Sequence, residues 1–318
     1  MRGENSSSVT APDQDVLAAA IAGIHGLGPW PEGACVALAC SGGADSTFLA
    51  LAWRRFAGER GLSSTVLVVD HAHRPGTAAE ARAAQSIYRE LGFECALLQL
   101  EPGLRGESSL RDARYRVLAA AAQARGAAVL LTAHQADDQA ETLLLRLARG
   151  TGLRGLAGIP ARRQLHAGIE IRRPLLALRR EAIRSALRAF GQAWIEDPSN
   201  VEPEAAARNR VRAELLPALA QVATGDPVDA LLRLAAEAQD WSDALAALLA
   251  SAPDWRALPS YLRRQALAEL LRAARETVSS SRLRDLEAAL LRHGRAGVTA
   301  DLSIRLAGGR LRWRGTLQ

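Results

Sequence analysis

The chain of 318 residues contains no lysine. None of its own side chains can form a Schiff base, and a glycine-rich phosphate loop ending in Gly-Lys-Ser or Gly-Lys-Thr is excluded. Cysteine is scarce too: Cys35, Cys40 and Cys95 make no C-x-x-C pair and no metal-ligand spacing. That pattern argues against a disulfide framework and against a structural zinc or iron–sulfur centre, so all three are expected as buried thiols. No apolar run approaches the roughly 18 residues of a membrane span. The opening segment, MRGENSSSVTAPDQD, lacks the apolar stretch of a secretory signal, which makes the cytoplasm the expected location.

The length and the 48% hydrophobic content suffice for two domains with separate cores. Charge is distributed unevenly. Residues 1–150 carry 14 arginines against 16 acids, whereas residues 151–318 carry 26 arginines against 18 acids. A structured basic half suits a polyanionic partner such as RNA, although scattered surface arginine is the bland alternative.

Four short β-rich runs, Ala34–Cys40, Thr65–Asp70, Phe93–Leu100 and Ala127–Thr132, alternate with helical patterns near 46–59, 78–91, 109–125 and 137–149. This rhythm predicts an α/β domain, a parallel sheet with helices on both faces, with ligands beyond the carboxyl ends of its strands. We expect residues 1–14 to be disordered, residues 15–200 to form this domain, and residues 201–318 to form a mainly helical one. Residues 149–160 hold four glycines, as expected of a mobile loop. Near the end a hairpin is predicted: Leu302, Ile304 and Leu306 share one face of its first strand, Gly308-Gly309 turns it, and Leu311 and Trp313 share a face of the return strand, whose other face shows Arg310, Arg312 and Arg314.

The strongest local signal is Ser41-Gly42-Gly43-Ala44-Asp45-Ser46, between the first strand and a Leu/Ala-rich helix. Glycines there let backbone N–H groups approach a phosphate, Ser41 and Ser46 add hydroxyls, and the helix N-terminus adds partial positive charge. Asp45 is placed to hold Mg²⁺ against the phosphates. His134, Asp138 and Glu141 follow at i, i+4 and i+7, a spacing that suits either a polar helix face for cations or helix capping. Arg114 and Arg208 are the cationic candidates among the 40 arginines, and His71 and His73 follow the second strand.

The SGGxDS segment resembles the pyrophosphatase loop (PP-loop) of adenylating ATP enzymes. Val69-Asp70-His71-Ala72-His73-Arg74, Arg111-Asp112-Ala113-Arg114-Tyr115, the 131–142 segment LTAHQADDQAET, Arg149-Gly150-Thr151-Gly152, Arg173-Pro174-Leu175, the 194–200 segment WIEDPSN and Arg208-Asn209-Arg210-Val211-Arg212 occur in that order. Together, from residue 34 to about 220, they resemble the tRNA(Ile)-lysidine synthetases. The resemblance implies an adenine-nucleotide α-hydrolase-like fold and a carbon–nitrogen ligase. It uses ATP and Mg²⁺ to join free L-lysine to carbon 2 of the wobble cytidine of an isoleucine tRNA with a CAU anticodon.

It further implies nucleotide binding by residues 41–46 and His71. Catalysis falls to Asp45, Asp138, Glu141 and Arg114, metal binding to Asp45 and Asp138, and lysine binding to His134, Asp138, Glu141 and Arg208. Beyond the span of the resemblance, the positive charge of the second half makes residues 201–318 the expected tRNA-binding domain. Which carboxylate is base and which is metal ligand stays open, as does the number of subunits, a homodimer included. Longer members of that family carry an additional C-terminal domain, so this chain reads as a short form.

A tRNA thiolase on the same loop needs a reactive thiol, and none lies at useful spacing. A degenerate binding-only member would lack the acids that are present here. An amidotransferase-linked relative needs a glutaminase domain, and no nucleophile segment for one is found.

Overall fold

Hydrophobic alternation sets the architecture. The computed structural model describes residues 11–70, 76–101, 106–165, 168–196, 203–274, 276–299 and 301–314. In its first unit, Met1–Gln239, a six-stranded sheet has the order β3-β2-β1-β4-β6-β5. These strands are β1 (Cys35–Ala39), β2 (Ser63–Asp70), β3 (Glu94–Gln99), β4 (Ala127–Thr132), β5 (Arg162–Gln164) and β6 (Glu170–Arg172). All pair in parallel except β5, which runs antiparallel to β6. The first four coincide closely with the predicted runs; β5 and β6, three residues each, were not anticipated.

Alternate residues of the central strands feed two cores, one on each face of the sheet. Val36, Leu38, Val66, Val68 and Leu131 join a cluster with Phe48, Trp53 and Phe56 of α2 (Ala44–Gly58) and with Ala84 and Tyr88 of α3 (Thr77–Glu90). The same cluster includes α1 (Ala11–Gly26) and α7 (Arg180–Ala189). On the opposite face Ala37, Leu67 and Leu130 meet Tyr115, Leu118 and Ala122 of α4 (Glu107–Gln123). An apolar run with no polar alternation is therefore a strand that is buried on both sides.

Three expectations need adjustment. Helix α1 already begins at Ala11, so residues 11–14 are ordered helix with Asp13 buried, and of that opening segment residues 1–10 fall outside the described residues. The contacts divide the chain after Gln239, inside α10 (Pro227–Ser251), rather than near residue 200. Helix α8 (Pro203–Arg210) and the π-helical turn Val211–Leu215 pack against α5 (Ala136–Ala148) of the first unit, and α9 (Leu216–Val222) follows the turn. Finally, the glycine-rich segment carries a one-turn helix, α6 (Leu153–Leu156), and is pinned. Arg146 Nη1 donates to Gly155 O (2.8 Å) and Gly158 O (2.7 Å), and Gln139 Nε2 donates to Ile159 O (3.1 Å).

The second unit, Asp240–Gln318, packs α11 (Ser260–Ala273) and α12 (Ser280–His293) on a sheet of β7 (Arg295–Gly297), β8 (Ser303–Ala307) and β9 (Arg310–Arg314). β8 and β9 form the predicted hairpin with Ile304 opposite Trp313 and Leu306 opposite Leu311. No helix of the described residues is long and apolar enough to cross a membrane.

Candidate active site

Strand order reverses between β1 and β4: the chain leads outward from β1 to β2 and β3, then returns to place β4 on the other side of β1. A crevice opens where two such neighbours diverge. A cavity of about 270 Å³ lies there, lined by Ser41, Asp45 and Ser46 after β1, by Thr132 at the end of β4 with His134 and Asp138 after it, and by Arg114, Tyr115 and Arg208.

The loop after β1 is rigidly built. Gly42 has φ +90°, the left-handed region that favours glycine. A Cβ at Gly42 would stand 2.8 Å from Ala84 Cβ and 2.9 Å from Ile195 Cδ1. Gly42 N–H donates to the Tyr88 hydroxyl (3.0 Å), and its carbonyl accepts from Ile195 N–H (2.9 Å). Ser46 Oγ donates to Gly43 O (2.9 Å), accepts from Ser41 N–H (3.2 Å) and lies 3.0 Å from the Tyr88 hydroxyl. Tyr88 is thus a buried anchor beneath the loop. Sequence reasoning missed it, although it continues the buried face of α3 after Ala81 and Ala84. Gly42→Ala is expected to cost about 2–4 kcal/mol, from left-handed strain plus overpacking. Thermal unfolding and ATP titration should show a lower Tm and weaker nucleotide binding.

Asp45 opens α2. Burial, and then the charge of Asp138, push its carboxyl up to about 6, with Arg180, the nearby Gln135 side chain and Arg184 partly offsetting them. Its Oδ1 is buried and has no hydrogen-bond partner among the described residues. A carboxylate oxygen held in this way has the chemistry of a cation ligand. Among the described residues no cluster of three or more His, Cys, Asp or Glu could enclose a metal. Mg²⁺ at one or two carboxylates plus substrate phosphates needs no such enclosure, so Asp45 and Asp138 fit it.

Asp138 stands at the third position of α5, in a capping box with Gln135: Gln135 N–H donates to Asp138 Oδ2 (3.1 Å), and Gln135 Oε1 accepts from the N–H groups of Asp137 and Asp138. Burial holds the Asp138 carboxyl above the usual range, against the pull of Arg180. His134 precedes the helix, with Nδ1 3.1 Å from Thr132 Oγ1. Burial, reinforced by Arg173, Arg111, Arg114 and Arg208, lowers its pKa to about 3, so it is neutral at physiological pH.

Glu141 does not line the cavity. Its side chain is 1% exposed and its Oε1 accepts from Arg180 Nη2 (3.2 Å) and Arg212 Nη2 (2.9 Å). Arg180 Nη2 also reaches Asp138 Oδ1 (3.1 Å), so one guanidinium ties the two acids together. Arg180 was not singled out in the sequence; it lies some forty residues from its partners at the start of α7. The guanidinium carbons of Arg111, Arg114 and Arg163 lie 5.6–5.8 Å from the centre of the Tyr115 ring. Of these groups Arg114 and Tyr115 line the cavity, which therefore brings the carboxylates of Asp45 and Asp138 together with the guanidinium groups of Arg114 and Arg208. His71 and His73 lie outside the described residues.

Of the three cysteines, all expected as buried, only Cys40 is fully so; Cys95 and Cys35 are partly buried, packed against the cores on the two faces of the sheet. Burial raises the Cys40 thiol far above its ordinary value and that of Cys95 to about 11, so neither is a thiolate at neutral pH.

Comparison with known proteins agrees with this geometry. A family model described as a PP-loop domain matches residues 20–219. The chain is 46% identical over 216 residues to a tRNA(Ile)-lysidine synthase of Salinispora tropica, covering 66% of this chain and 64% of that protein. It is 41% identical over 215 residues to a tRNA(Ile)-lysidine synthase of Rhodopseudomonas palustris, covering 66% and 60%. The chain thus spans about three fifths of the length of these relatives. In fold alone it is similar to the U34-tRNA thiolase NcsA from Methanococcus maripaludis, a structure with its 4Fe-4S cluster (TM-score 0.60, 15% identity, 71% of this chain and 79% of that one). With the matched model spanning more than half of its residues, the chain belongs to the PP-loop domain family.

Proposed function

We propose that this chain uses ATP to ligate free L-lysine to carbon 2 of the wobble cytidine in an isoleucine tRNA with a CAU anticodon, giving lysidine, AMP and pyrophosphate in the cytoplasm. One observation carries the proposal. A phosphate cradle and the unpartnered buried oxygen of Asp45 share a pocket with Asp138, in a chain similar to proteins named tRNA(Ile)-lysidine synthase.

In the first step cytidine O2 attacks the α-phosphorus of ATP and pyrophosphate leaves. In the second the lysine amine attacks carbon 2 and loses a proton, and AMP departs with the former carbonyl oxygen. The loop 41–46 and the N-terminus of α2 hold the phosphates. Arg114 and Arg208 balance phosphate or amino-acid carboxylate charge. Asp45 and Asp138 would hold Mg²⁺, which supplies charge neutralisation on the leaving group. Asp138 and neutral His134 orient the incoming amine, and Glu141 supports them from behind through Arg180. Residues beyond α9 would hold the tRNA body.

The reading is tested by following AMP and pyrophosphate from ATP. Release should require the isoleucine tRNA and be accelerated by lysine; RNA-dependent release indifferent to lysine would overturn the choice of nucleophile. Cys40→Ala should retain activity within about twofold, because its protonated thiol packs against the core. A large loss in that variant would favour sulfur chemistry instead.

A further inference from the structure

We propose that the outer face of the β7-β8-β9 sheet is a docking surface for the phosphate backbone of RNA. In the ladder Arg295 stands opposite Arg305, and Arg305 opposite Arg312. Arg310 and Arg314 flank Arg312 at two-residue spacing, which places all three on one face of β9. All five arginines are exposed, whereas Ile304 is buried and Leu306, Leu311 and Trp313 pack into the core on the reverse face.

Like charges directly opposite one another destabilise a sheet. Among the described residues nothing relieves them: none of the five makes an ion pair or a side-chain hydrogen bond. Elsewhere in the same unit Arg263 and Arg264 are matched with Glu287, Arg282 with Glu276, and Arg272 with Glu269. Among the described residues Arg256, Arg284 and Arg292 also lack an ion pair, but they lie outside the strands of the sheet, so the larger share of the unmatched charge stands on this one face, in a unit whose sequence carries 13 arginines against 8 acids.

The chemistry selects the partner. Guanidinium groups about 6–7 Å apart along a strand offer forked donors to successive phosphates. The outward side chains of β8 and β9 include no aromatic or large aliphatic group, the kind a lipid-binding face inserts. Ser303, Arg305 and Ala307 point out from β8, and only arginines from β9. This inference rests on the proposed RNA substrate but not on lysine, ATP or the pocket.

The test is direct binding of the isoleucine tRNA transcript to the full chain, measured across a salt series. The triple variant Arg305→Gln, Arg310→Gln, Arg312→Gln is compared with Arg256→Gln, Arg284→Gln, Arg292→Gln, which removes equal charge elsewhere in the unit. The sheet variant should bind at least about tenfold more weakly, with its log–log salt slope reduced by about 2–3, as expected for three lost phosphate contacts. It should fold at least as stably as the parent, since repulsion is relieved. Equal weakening in both variants, or in neither, overturns the assignment. So does loss of binding to anionic phospholipid vesicles in the sheet variant while tRNA binding is unchanged. Failure to incorporate lysine with tRNA binding intact would count against the proposed reaction alone.

Discussion

Asp45→Asn should lower activity by about 10²–10³-fold, the scale for removing one group that stabilises transition-state charge, and yet raise the melting temperature. The aspartate's pKa is raised in the folded state, to about 6 from 3.8, chiefly by burial and then by Asp138. For a group raised in this sense, its contribution is fully favourable below the unfolded value and is lost as pH rises through the folded value. Above about pH 6 the native protein therefore carries a buried, opposed carboxylate at a cost of up to about 3 kcal/mol. Asparagine removes that cost, so thermal unfolding at pH 7.5 should shift upward by roughly 2–6 °C, and the gain should vanish near pH 4. In the metal-free protein the titration of this carboxyl should fall near pH 6, separate from that of His134, which is already neutral there. A destabilised Asp45→Asn protein at pH 7.5 would mean that the carboxylate is satisfied structurally rather than held ready for a cation.

Arg180→Met should be the most damaging single change outside the cavity lining. It strips the shared guanidinium from Asp138 and from Glu141, which is 1% exposed and keeps Arg212 as its remaining ion-pair partner. Removing one side of a buried pair costs more than the pair contributes, here about 2–4 kcal/mol. Activity should fall as well, with its acid limb moved to higher pH, because Arg180 holds down the carboxyls of both Asp45 and Asp138. The charged groups around them are Asp137 and Glu141 on α5, Arg184 on α7, Arg208 on α8 and Arg212 on the π-helical turn. Arg180→Lys should restore part of the activity and most of the pH profile. A merely structural role would lower stability without moving the limb, and the pH–rate profile separates the two.

The parallel core was legible because Val36, Leu38 and Val66 alternate with Ala37, Leu67 and Ala39 in runs that are apolar on both faces. The phosphate loop was legible because its glycines, hydroxyls and acid sit in consecutive positions. The rest depended on long-range pairing. Strands β5, β6 and β7 have three residues each, too few for periodicity to register. Tyr88 and Arg180 reach the site from α3 and α7, so no local spacing announces them. The helical-face reading of His134, Asp138 and Glu141 held only in part. His134 precedes the α5 N-cap, Asp138 is bound into the capping box, and Glu141 turns toward Arg180 and Arg212. The domain break eluded prediction because it falls inside α10, whose Ala/Leu-rich composition continues across it.

The most direct measurement is retention of labelled lysine by RNA. The protein is incubated with Mg-ATP and labelled lysine, together with an isoleucine tRNA transcript bearing a CAU anticodon or the methionine tRNA of the same anticodon. The label is expected in the isoleucine tRNA alone, dependent on ATP and lost with Asp45→Asn. Label in neither RNA, from a folded protein that binds both ATP and tRNA, would contradict lysine ligation as its reaction.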